Sequence, residues 1–131
     1  MDQQEDQMSN TGISYEEHVT RVRSEASRIL NAAGATNLEE VPKPRHRRDV
    51  GDRPLSASGA FLEDAHGRVQ GWFSVTFDGR RIPVTVFQTF ASRGTWNTSI
   101  LGVDRKDYPS DQDFLQRVRE VLRSEARRVP V

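Results

Sequence analysis

From Val69 to Phe90 large apolar residues alternate with polar ones over two strand lengths, and that period of two commits the region to a β-hairpin with one apolar face. In "GRVQGWFSVTFDGRRIPVTVFQTF", Gly67 to Phe90, the apolar face carries Phe73, Val75, Phe77, Ile82, Val84 and Val86. Gln70, Trp72, Ser74, Thr76, Thr85, Phe87 and Thr89 fall on the reverse, where two large rings stand among serines and threonines. A type II′ turn at Gly79 and Arg80 sets Phe77 opposite Ile82 and Trp72 opposite Phe87.

The flanking segments extend the same sheet. "SGAFLEDAHGRV" reads as a strand that returns through a loop at Asp64 to Gly67 and matches Leu62 with Val69. That register puts Phe61 and Glu63 on the reverse face and Gly59 beneath the Trp72 ring. Downstream, "ASRGTW" reads as a hairpin with Gly94 left-handed, which brings Trp96 opposite Phe90 and Ile100 opposite Val86. Asn97 and Ser99 then join the reverse face.

Helical periodicity brackets these strands. In "SYEE", Ser14 and Glu17 form a capping box, and Tyr15, Val19, Val22, Ala26, Ile29, Leu30 and Ala33 follow at three- and four-residue spacing up to Gly34. A second helix starts at Ser110, with Asp111 and Asp113 at its positive end. Its apolar stripe is Phe114, Leu115, Val118, Val121, Leu122 and Ala126, and Arg123, Arg127 and Arg128 close it. The expected fold is a two-layer α+β domain over residues 13–128: N-terminal helix, four-stranded antiparallel meander, C-terminal helix, with both helices on the apolar face of the sheet. Residues 1–12 and 129–131 read as tails, the first of them mobile and disordered. Three prolines and alternating charge mark Val41 to Pro54 as an exposed connector.

Composition limits function more than it names it. The 131 residues fit one domain, and 34% hydrophobic with 29% charged residues is polar but foldable. No cysteine means no disulfide, thiol nucleophile or thiolate metal site, and a reducing cytoplasm fits. The start, "MDQQEDQMSNTG", is acidic where a signal peptide is basic and then apolar, and no run is apolar enough for a membrane span, so a soluble cytoplasmic protein is expected. Nineteen basic and nineteen acidic residues cancel, so any electrostatic recognition is local.

With both helices on one side, the ring-bearing reverse face stays open, and its composition is that of a contact surface. Phe61, Trp72 and Phe87, with Gln70, Thr85, Thr89 and Asn97, are the expected contacts to a protein partner. A homodimer through the same face would use the same residues. A nucleic-acid reading would stack bases on the rings and hold phosphates with Lys43, Arg45, Arg47, Arg48, Arg80, Arg81 and Arg93. The segment Lys43 to Arg53 sets five cations against two carboxylates, a modest patch. Enzymatic signals are weak. No Walker-type phosphate loop occurs, "EDAHG" (Glu63 to Gly67) has the residues a turn selects, and neither His18 nor His46 has a nucleophile at a suggestive spacing. No catalytic residue, metal or cofactor is therefore expected.

Overall fold

The structure, a computed structural model, describes residues 15–43, 53–91 and 95–129. Helix α1 (Tyr15–Ala32) buries Val19, Val22, Ala26, Ile29 and Leu30, the stripe its spacing predicts. The capping residue Ser14 lies outside the described residues. Helix α2 (Asp111–Arg128) begins where Ser110 accepts a hydrogen bond from the Asp113 amide at 3.1 Å, and it buries Phe114, Val118, Leu122 and Ala126. Both stripes share one core with Phe73, Val75, Phe77, Ile82, Val84 and Val86, so both helices cover the same face of the sheet. Fully burying each such side chain is worth about 1.5–3 kcal/mol, which is why the two helices settle there.

The α+β class, the antiparallel sheet and the two terminal helices hold, but the expected four-stranded meander does not. Among the described residues there are seven strands: β1 (Thr36–Glu40), β2 (Arg53–Pro54), β3 (Phe61–Glu63), β4 (Val69–Phe77), β5 (Arg80–Ala91), β6 (Thr95–Ile100) and β7 (Val103–Asp104). Their order is β2-β3-β4-β5-β6-β7, with β1 also paired to β4. A short 3-10 turn (Arg105–Asp107) leads from β7 towards α2. Two strands thus share one edge of β4. β3 takes Val69 to Gly71 and β1 takes Phe73 to Thr76. The handover falls at Trp72, whose amide donates to Ala60 O (2.8 Å) while its carbonyl accepts from Val41 N (3.0 Å).

Val41 to Pro54 is accordingly not a free connector at its ends. Val41 and Lys43 donate backbone hydrogen bonds to Trp72 and Gly59, and Arg53–Pro54 pairs with Glu63 and Leu62. Residues 44–52 lie outside the described residues, as do the tail at 1–12 and the turn at 92–94.

Two registers differ from the expected ones, with different consequences. The β4–β5 turn is at Asp78–Gly79, with φ of 51° and 75°, the pair of positive values a type I′ turn requires. It moves the pairing by two residues, so every face is preserved, but Trp72 now opposes Thr85 and Phe87 opposes Gln70. The β3–β4 register moves by one, and a slip of one turns each side chain to the other face. Phe61 opposes Gly71 and is fully buried on the helix side, which corrects its placement on the reverse face. The cause is steric. A Cβ on Gly71 would stand 2.8 Å from both Val22 Cγ1 and Phe73 Cε2 and 3.1 Å from Phe61 Cε1, so the missing side chain is the space these groups occupy. The glycine covered by an aromatic is Gly71 under Phe61, and Gly59 packs against Pro42 instead.

Candidate functional site

On the reverse face, β4 presents Trp72 and β5 presents Phe87, both half-buried, with Thr85 half-buried and Thr89 exposed beside them. Each ring carries a cation. Lys43 Nζ lies 5.8 Å from the Trp72 centroid, and the Arg68 guanidinium lies 4.8 Å from that of Phe87. Such contacts contribute about 0.5–1 kcal/mol at exposed sites. The indole N–H of Trp72 donates to Gln70 Oε1 (3.4 Å), Gln70 Nε2 donates to Asp64 Oδ2 (3.2 Å), and Arg68 Nε donates to the same oxygen (2.8 Å). Both rings are therefore set by one hydrogen-bonded chain that ends on Asp64.

Asp64 organises the β3–β4 loop. Its Oδ1 accepts from the amides of His66 (2.9 Å) and Arg68 (3.0 Å). Burial pushes its carboxyl up, but the Arg68 amide and guanidinium, the His66 amide and Gln70 together hold it below its ordinary value. Among the described residues no group of three or more histidine, aspartate or glutamate side chains is placed to hold a metal ion.

The structure redistributes the remaining candidates. Gln70 is only 6% exposed, so it orients Trp72 from beneath rather than meeting solvent. Asn97 is on the expected face but its Oδ1 accepts from the Lys106 amide (3.0 Å), tying β6 to the 3-10 turn. Arg81 spends its guanidinium on Asn37 O, Thr76 Oγ1, Glu39 and Ser74 O at 2.8–3.2 Å. Arg80 donates to the carbonyls of Val129 and Asp78. These two arginines fasten the hairpin tip to β1 and to the end of α2. Arg45, Arg47, Arg48 and Arg93 lie outside the described residues.

A second polar group, on the helix side, was not singled out from the sequence. Gln88 and Thr98 oppose each other on β5 and β6, facing the core, and are 2% and 7% exposed. Trp96, two residues along from Thr98, meets His18 edge-on (5.4 Å between centroids, 72°) and lies under the Arg21 guanidinium. Burial lowers the His18 pKa and Arg21 adds to this, while Glu63 and Glu17 act against it. The signal was present in "VFQTF", where the alternation calls for an apolar residue at 88 and supplies glutamine.

None of the described helices is long and apolar enough to cross a membrane. Comparison with protein-family models, curated proteins and solved structures finds no significant match to this chain.

Proposed function

We propose that the protein is a non-catalytic recognition module that binds a protein partner through the sheet face centred on Trp72 and Phe87. The observation that supports this most is the placement of α1 and α2 together on the opposite face, which leaves two half-buried rings with no described helix across them. Rings of this size, fixed in orientation and with Thr85 and Thr89 beside them, are the residue types that dominate protein interfaces. The contact set is narrower than the sequence suggested: Trp72, Phe87, Thr85 and Thr89, flanked by Lys43 and Arg68. The nucleic-acid reading loses ground because Arg80 and Arg81 are already engaged within the fold. An inhibitor and an accessory subunit would both work through such a face.

The test is affinity capture from the native host with wild type, Trp72→Ala, and Arg117→Ala as a control on the exposed side of α2. A partner retained by the control and lost with Trp72→Ala, at similar thermal stability, supports the reading. Retention of the same partner by Trp72→Ala overturns it, and a self-associating chain with no other partner replaces it with the homodimer.

A further inference from the structure

On the helix side of the sheet, α1, the β5–β6 pair and the segment from the 3-10 turn into α2 enclose a cleft of about 310 Å³. That is the small end of the ~300–1,000 Å³ range of ligand pockets. Gln88 lines it. Its Nε2 donates to Thr98 Oγ1 at 3.0 Å, and its Oε1 is buried with no hydrogen-bond partner among the described residues. Turning the amide over exchanges the two atoms and still leaves one end unspent, because the Thr98 hydroxyl can donate or accept. A buried polar group left unpaired costs folding stability, and native proteins keep few of them without a use.

The cations around the cleft are in different states. Arg28 is held by Asp111 (3.0 Å) and Glu25 (3.1 Å), and Arg105 reaches Asp111 (3.4 Å) and the Tyr108 carbonyl (2.9 Å). Arg21 instead lies over the Trp96 ring, 5.5 Å from its centroid, and among the described residues no carboxylate is within ion-pair distance of it. Among the described residues, one wall of the cleft therefore offers a planar, positioned guanidinium with no carboxylate at ion-pair distance, and the interior offers an amide without its second partner.

We propose that this cleft binds a small hydroxycarboxylate, with its carboxylate on the Arg21 guanidinium, its hydroxyl on the Gln88 amide, and the Trp96 ring as the flat wall beside them. The guanidinium fork matches the two oxygens of a carboxylate. A hydroxyl both donates and accepts, so it satisfies Gln88 whichever amide atom is presented. A carboxylate without a hydroxyl would leave the amide unspent, and a neutral polyol would leave Arg21 unspent. The site is on the face of the sheet opposite Trp72 and Phe87 and stands or falls separately from them.

The experiment is an NMR titration of the full chain with lactate, propionate and glycerol, followed at the Trp96 indole N–H and the Gln88 side-chain amide. Lactate is expected to give saturable shifts at both signals. Propionate, which differs from it by the hydroxyl, should bind about fivefold more weakly or worse, the effect of one hydrogen bond, and glycerol should not saturate. Arg21→Gln, a change at an exposed position, should abolish the lactate shifts. Gln88→Leu should erase the preference for lactate over propionate. The proposal is overturned if lactate fails to saturate, if propionate binds equally well, or if the lactate shifts survive Arg21→Gln.

Discussion

Lys43 holds its ammonium 5.8 Å from the centre of the Trp72 ring, and its own backbone amide is anchored to the carbonyl of Gly59. The residue that covers the indole is thus fixed by the chain that follows β1, the strand paired to the other half of the β4 edge. Trp72 is oriented from two sides, by Gln70 beneath and Lys43 above. Lys43→Gln is expected to cost about 0.5–1 kcal/mol in urea unfolding, the worth of a cation–π contact, and to change the Trp72 fluorescence. Lys43→Arg should keep both near wild type.

At Gly71 α1 comes close enough to the sheet that a Cβ would stand 2.8 Å from Val22 Cγ1. Gly71→Ala is expected to destabilise by about 1–3 kcal/mol, the usual cost of overpacking a filled core. Because Val22 Cγ1 is one of the two nearest atoms, Val22→Ala should recover part of that loss, and the two changes should couple in a double-mutant cycle. Simple additivity would mean that the helix does not press on Gly71.

These contacts also show which parts of the fold were legible in the sequence. The helices and the apolar face of β4 and β5 follow from periodicity, which survives a pairing register shifted by two residues. Phe61 does not, because the face of a three-residue strand depends on a one-residue register, and here the choice is made by the empty space at Gly71. β1 was invisible for another reason. "TNLEE" has no alternation, all five residues are half or fully exposed, and what holds the strand is the β4 backbone with Arg23 on Glu40 and Arg81 on Glu39. On the reverse face, Trp72 and Phe87 were readable as rings out of pattern. Gln88, the polar residue out of pattern on the other face, carried the same kind of signal.

His18 gives the protein a pH dependence of definite sign. Burial holds its folded-state pKa below the ordinary 6.5. As pH falls below 6.5 the unfolded chain takes up a proton at this site before the folded chain does, so stability declines from there downwards. Well above 6.5 both states are neutral and the site contributes no slope. Urea unfolding between about pH 8 and about pH 5 should show this decline. His18→Leu should flatten it, and an unchanged slope in that variant would assign the dependence to other groups.

Trp72 belongs to a face rather than to the core, and paired alanine substitutions measured by urea unfolding test this most directly. Phe61→Ala, in the filled core beside Gly71, is expected to lose about 3–5 kcal/mol, whereas Trp72→Ala should lose less than about 2 kcal/mol. If Trp72→Ala destabilises the protein as much as Phe61→Ala, the indole is core packing and the sheet has no open recognition face.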